Sequence, residues 1–147
     1  MKPIKVIVLV LAFVTAGVTA RSVYAACGGL PWDGSNPHTT GCDANASTIC
    51  SAPLCDAWGQ ICGGKVELRF SHTCKTAWSR MTGGFPGGWA ETRIHRNQDG
   101  CTYTHFGFFT AGYSAQLYDG AGWSAFAHAF TQDATATVSE DGNTCSF

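Results

Sequence analysis

Apolar positions fall into three patterns along this chain. An unbroken apolar run fills residues 6–14 behind Lys2 and Lys5. From Lys65 onward the period is two: Val66, Leu68 and Phe70 alternate with Glu67, Arg69 and Ser71, as a half-buried strand requires. The same pattern predicts strands at 76–82, 89–96, 102–109, 113–118, 123–130 and 134–139. The glycine cluster from Gly83 to Gly88 and the pair Asp99-Gly100 separate them. Asp119-Gly120 reads as a hairpin turn, because both residues tolerate the positive φ that a type I′ turn demands. Between the apolar run and the alternating region, Cys27 to about Gly64 is rich in Gly, Pro, Asn, Asp and Cys, with turn signals at Asp33-Gly34 and Asn36-Pro37. That stretch predicts irregular chain, with a short helical turn around Asp43 to Ile49. The expected fold is all-β: a small antiparallel sandwich or barrel of about seven short strands, with a disulfide-rich irregular N-terminal arm packed against it.

The leading apolar run changes the compartment. Charged residues, a short apolar stretch and Val23-Tyr24-Ala25 make a secretory signal over residues 1–25, cleaved after Ala25 or Ala26. The run is well short of the roughly 20 residues a membrane span needs, so no span is expected. Tyr24-Ala25-Ala26-Cys27 loosely resembles a lipoprotein signal, but tyrosine stands where that signal wants leucine. A lipid anchor at Cys27 would also leave an odd number of cysteines, so it is not expected. The remaining residues, 26–147, read as a single disulfide-stabilised β domain, secreted or periplasmic.

Loss of Lys2, Lys5 and Arg21 lowers the basic count from 9 to 6 against 10 acids, a formal charge of −4. With no basic run, the chain lacks the phosphate attraction that nucleic-acid binding rests on. The eight cysteines, Cys27, Cys42, Cys50, Cys55, Cys62, Cys74, Cys101 and Cys145, are even in number and follow an export signal. Four cystines are the expectation, their connectivity open. No Cys-x-x-Cys pair offers a structural zinc site, and a nucleophilic thiolate is at odds with an oxidising compartment.

Several segments together carry a resemblance. Cys27-Gly28-Gly29, Asp33-Gly34, Pro37, Thr40-Gly41-Cys42, the run Gly63-Gly64-Lys65-Val66-Glu67-Leu68-Arg69-Phe70-Ser71, Cys74, Ala77-Trp78-Ser79-Arg80 and Tyr113-Ser114-Ala115-Gln116-Leu117-Tyr118-Asp119 resemble the YjfA-like secreted proteins. That bacterial family is classed as a domain of unknown function. The resemblance implies export and disulfides, and brings no activity, cofactor or catalytic residue. Trp32 stands where the family pattern has a second early cysteine, which leaves Cys50, Cys55 and Cys62 for additional local bridges.

Candidate chemistry is thin. Trp78 and Arg80 share a strand face, which suits a guanidinium stacked on an indole, and Glu67 is placed to pair with Arg80 across a hairpin closed near Cys74. This is first a structural cross-strand pair, and second a ligand cleft lined by Trp78, Arg80 and Arg69. The histidines His38, His72, His95, His105 and His128 lie one per segment with no ligand-pair spacing, so no metal or other cofactor is expected; His95 facing His105 is the arrangement to look for. No Gly-x-Ser-x-Gly motif is present, and Glu67 or Glu91 with Asp99 or Asp119 are the only carboxylates to consider as a glycosidase pair. Aromatic residues make up 12% of the chain. Phe106 and Phe108 face opposite to Tyr103 and Phe109, which offers a platform for stacking a sugar or another protein. Trp89, beside glycines, and Trp123, after the expected turn, are the tryptophans expected at the surface.

The sequence therefore points to a non-enzymatic extracytoplasmic binding or structural module, with Trp78, Arg80, Arg69, Trp89 and Trp123 as contact residues and an envelope polysaccharide or a protein as partner. A secreted inhibitor or small toxin presenting Gly83 to Gly88 is the alternative, and an unrecognised hydrolase the third reading.

Overall fold

The computed structural model describes residue 27, residues 29–136 and residues 138–147; the signal-like segment and its cleavage positions lie outside the described residues. These residues form an all-β protein with one helical turn, α1 (Pro37–Thr40). The strands are β1 (Ala46–Cys55), β2 (Cys62–Ser71), β3 (Thr76–Thr82), β4 (Trp89–Arg96), β5 (Thr102–Gly107), β6 (Ala111–Tyr113), β7 (Leu117–Tyr118), β8 (Ala125–Gln132) and β9 (Ser139–Asn143). They make one antiparallel sheet in the order β5-β4-β8-β9-β1-β2-β3-β6, with β7 added to β3, curled into a nearly closed barrel.

Alternation decides which side chains fill it. Val66, Leu68 and Phe70 of β2, Ala77 and Met81 of β3, Ala90 and Ile94 of β4, and Ala125, Ala127 and Ala129 of β8 all turn inward and are buried. Alanines on β8 face larger residues on β2, β3 and β4, the mixture of small and large that a narrow barrel accommodates. Hydroxyls between β3 and β4 are paired: Ser79 and Thr92 bond to each other, and the Ser79 N–H donates to Ser114 Oγ at 3.0 Å.

The irregular arm is shorter than the sequence suggests, because residues 46–55 are a ten-residue strand paired with β2. The register slips between Thr48 and Cys50, so Ile49 reaches the core beside its neighbour Cys50, with Ala52 and Leu54 beyond, and the period of two is broken at the bulge. The helical turn also moves. Asn36 caps α1 with its side chain, Pro37 takes the first turn and Gly41 closes it at φ 73°, so the expected turn at Asp43 to Ile49 is instead the entry to β1.

Two further expectations shift. Asp119-Gly120 does not join a hairpin: β7 pairs with β3 while β8 pairs with β4 and β9, and the left-handed residues are Ala121 and Gly122. The segment 113–118 splits into β6 and β7 because the Ser114 hydroxyl takes the Ser79 N–H and the Gln116 backbone turns to Gly34 and Ser35 of the arm, and the strand expected at 134–139 begins only at Ser139 after a turn closed by Asp133.

All eight cysteines pair, as Cys27–Cys101, Cys42–Cys74, Cys50–Cys145 and Cys55–Cys62. Only Cys55–Cys62 is the local bridge expected in that region; Cys50 reaches 95 residues to the C-terminal segment. The first two bridges tie the arm to β5 and to the β2–β3 turn. Gln116 completes the seat: its amide donates to Ser35 Oγ and Thr40 Oγ1 while its carbonyl accepts from Thr76. Gly34, at φ +79°, lies so near the Tyr103 hydroxyl that a Cβ there would come within 2.9 Å of it.

Candidate functional site

The arm ends against the outer face of β2 and β3, and a concavity of about 200 Å³ opens there, lined by His38, Asp43, Arg69, Trp78, Arg80 and Tyr113. The register explains the gathering. Arg69 stands opposite Trp78, Glu67 opposite Arg80, and Arg80 opposite Tyr113 across β2, β3 and β6. Arg69, Trp78 and Arg80, singled out from sequence, therefore do meet in one cleft, and the arm and β6 supply the other wall.

Trp78 is 3% exposed and forms the floor. Arg80 Nε donates to Glu67 Oε2, and Lys65 Nζ lies 3.2 Å from Glu67 Oε1, so one buried carboxylate serves two cations. Burial alone would raise the Glu67 pKa, but the hydrogen bonds and charges of Arg80 and Lys65 outweigh it and hold the carboxyl below its usual range. Arg80 keeps both Nη groups unpartnered among the described residues, with its side chain 42% exposed.

Arg69 is anchored from behind, Nη1 donating to Thr48 Oγ1 at 2.6 Å and Nη2 to the Ala46 carbonyl at 2.9 Å. Burial, and then the positive charge of Arg80, lower its pKa, while Glu67 and Asp43 act in the opposite sense. Two guanidiniums thus converge with an unfavourable mutual term. On the far wall His38 is held by Asp43 and meets the Tyr113 ring edge-on at 4.5 Å, while Asn36 Nδ2 reaches the Tyr113 hydroxyl. The arrangement offers charged donors above an aromatic floor and beside an aromatic wall, which suits an acidic group on a ring-shaped ligand.

The remaining expected residues lie elsewhere. The guanidinium–indole stack is Arg96 over Trp123, at 4.6 Å, not Arg80 on Trp78, because Glu67 draws Arg80 away. Trp123 is consequently half-buried and outside the cleft. Trp89 is at the surface, stacked with Phe106 and Phe108 at centroid distances of 5.6 and 5.7 Å, so the aromatic face read from β5 is present. Trp58, 84% exposed in the β1–β2 turn, was not anticipated; nothing in the local pattern marks it.

His95 faces Thr102 and Phe126 rather than His105, which faces Thr92. Among the described residues no three His, Cys, Asp or Glu side chains gather as a metal site would need. Nor do the carboxylates pair across a cleft. Glu67 is bound to Arg80 and Lys65, Glu91 lies 3.5 Å from Arg93, Asp99 is bound to Arg96, and Asp119 is buried. No helix among the described residues is long and apolar enough to cross a membrane.

Residues 31–146 match the model of a family described as a protein of unknown function, DUF2690. The chain is similar to the uncharacterized protein YjfA of Bacillus subtilis (strain 168), 36% identical over 101 residues that cover 65% of this chain and 59% of that relative. It thus spans about three fifths of the length of the curated relative. No solved structure matches the chain.

Proposed function

The chain belongs to the DUF2690 family, and we propose that it is an extracytoplasmic, non-enzymatic binding module whose cleft takes an acidic sugar unit of an envelope polysaccharide. The convergence of Arg69 and Arg80 over Trp78 carries this reading. Their mutual repulsion is relieved by an anion, and the uncommitted Nη groups of Arg80 are suited to a carboxylate. The concavity has room for about one sugar ring, and Tyr113 presents a ring face beside it. Four cystines fit an oxidising compartment outside the cytoplasm.

The other two readings find less support. A toxin or inhibitor loop is expected to protrude between cystines, yet Gly83 to Gly88 has no bridge at either end, Gly84 N–H bonds to the Thr110 carbonyl, and Gly88 packs against the Gln132 carbonyl. A hydrolase asks for a Glu or His poised near Arg as acid or base. Glu67 is tied to two cations behind the cleft, and although Asp43 orients His38 as a general base would be oriented, no serine, threonine or cysteine among the described residues lines the cleft beside it. Calorimetric titration of the exported protein with sodium glucuronate and with glucose tests the proposal. Saturable heat with glucuronate and none with glucose supports it; equal or absent heats refute it.

A further inference from the structure

A second concavity, of about 350 Å³, lies on the outer face of β4, β5, β8 and β9, lined by Arg93, His95, Thr102, Phe126, His128 and Asn143. Register assembles it: Arg93 faces His128, His128 faces Asn143, and His95 sits between Thr102 and Phe126. Its hydrogen bonds set the tautomer of His128 and link that of His95 to Thr102. Arg93 Nε–H donates to His128 Nδ1 at 3.1 Å, so the neutral imidazole carries its proton on Nε2. The Thr102 hydroxyl lies 2.8 Å from His95 Nδ1 and 3.3 Å from the Gly100 carbonyl; in the tautomer in which the hydroxyl donates to that carbonyl, His95 donates from Nδ1 and presents Nε2 as an acceptor.

Neither Nε2 is sealed from solvent, and Asn143 and the Arg93 Nη groups have no partner among the described residues. No carboxylate lines the cavity. Donors thus come from three strands, with one acceptor beside them. We propose that this cavity binds a tetrahedral oxyanion, phosphate or sulfate, free or as the ester of a small hydroxylated molecule. Arg93 supplies the charge, His128 Nε2–H and the Asn143 amide supply further donors, and His95 Nε2 accepts from a neighbouring hydroxyl or from a protonated oxygen of the anion. This site is independent of the Arg69–Arg80 cleft.

The surrounding charges set its pH dependence. Burial and Arg93 keep His128 neutral at pH 7, while Glu91 on β4 and Asp141 on β9 act in the opposite direction and weaken the field felt by an anion. Binding is therefore weak at pH 7.5 and tightens as His128 gains a proton, at a pH below the ordinary histidine range.

Ring resonances of the five histidines, followed by NMR at constant ionic strength, test the site with inorganic phosphate, inorganic sulfate and glucose 6-phosphate against sodium chloride. The proposal expects saturable shifts at His95 and His128 but not at His72, with sulfate, whose charge is constant over this range, bound more tightly at pH 5.5 than at pH 7.5. Arg93→Met, which keeps the aliphatic stem, is expected to weaken binding at least tenfold while the spectrum stays dispersed; Asn143→Ala gives the same test through a residue that holds nothing else in place. Tighter glucose 6-phosphate identifies an ester as the ligand, and equal affinities identify the free ion. Shifts no different from those with chloride, or unchanged affinity in both variants, overturn it.

Discussion

Arg96 and Asp33, 63 residues apart in sequence, form an ion pair at 3.0 Å in which both side chains are 1% exposed. Burial would lower the Arg96 pKa, but Asp99 and Asp33 more than compensate and raise it. Arg96 also donates to the Tyr118 carbonyl and stacks on Trp123, and Asp33 accepts from the Tyr118 N–H. One guanidinium thus joins the arm to β4 and β7. Asp99 stays bound to Arg96 when Asp33 is removed, so what is lost is the charged hydrogen bonding of Asp33 to Arg96 and to the Tyr118 N–H, about 1.5–3 kcal/mol. Asp33→Ala is expected to lose stability of that order in urea titrations, whereas an arm held by its cystines alone would lose less than 1 kcal/mol, a prediction that follows from the pair being buried rather than exposed.

Asp119 lies 5% exposed close to this network, and among the described residues neither carboxylate oxygen has a hydrogen-bond partner. Burial raises its pKa to about 7, with Arg96 only partly opposing. The sign follows directly. Between about pH 4 and pH 7 the unfolded chain has released this proton while the folded chain keeps it, so stability falls as pH rises through that window, by up to about 1.4 kcal/mol per pH unit. Asp119→Asn is expected to flatten the profile and to be the more stable protein at pH 7.5. Parallel urea midpoints for the two proteins from pH 4.5 to 7.5 would contradict this.

The four bridges differ in the chain they close. Cys50–Cys145 spans 95 residues and Cys55–Cys62 spans 7, the latter across strands already paired. Loop-closure entropy ranks them at about 5 and about 2 kcal/mol. The double serine variant of the first pair is expected to melt well below that of the second. The reverse order of Tm would show that strand pairing, not chain closure, governs the effect.

Glu67 bears on ligand affinity with an unexpected sign. It holds Arg80 and Lys65 and so reduces the positive potential at the cleft. Glu67→Gln is expected to bind an acidic sugar several-fold more tightly, at a modest cost in stability because Arg80 is substantially exposed. Weaker binding in a folded Glu67→Gln protein would show that Glu67 positions Arg80 rather than competing for it.

Strands β3 and β4 are legible to the residue, because strand-forming residues fill 76–82 and 89–96 between clear glycine and Asp-Gly breaks, even though Ser79, Thr92 and Arg96 turn inward and Trp78 outward. β1 is not, since its bulge at Ile49 destroys the period that sequence reading depends on. The half of the cleft made by Arg69, Trp78 and Arg80 was also legible, because a hairpin places its same-face residues side by side. His38, Asp43 and Tyr113 were not. They arrive through the docking of the arm and the addition of β6 to β3, contacts between segments about 30 to 75 residues apart that no local pattern encodes. Arg96 carries no signal in the sequence beyond its place at the end of the strand 89–96; its inward position acquires meaning only through Asp33, which meets it from 63 residues away.

The most direct test of the acidic-ligand cleft is a titration of the exported protein with sodium glucuronate, observed through backbone and arginine Nε resonances, in the natural protein and in Arg80→Ala. Saturable shifts confined to Arg69, Arg80, Trp78, Tyr113 and the α1 turn, weakened at least tenfold in the variant, are the predicted result. Shifts that fail to saturate, that map to another face, or that persist unchanged in Arg80→Ala would contradict the assignment of this cleft as the binding site.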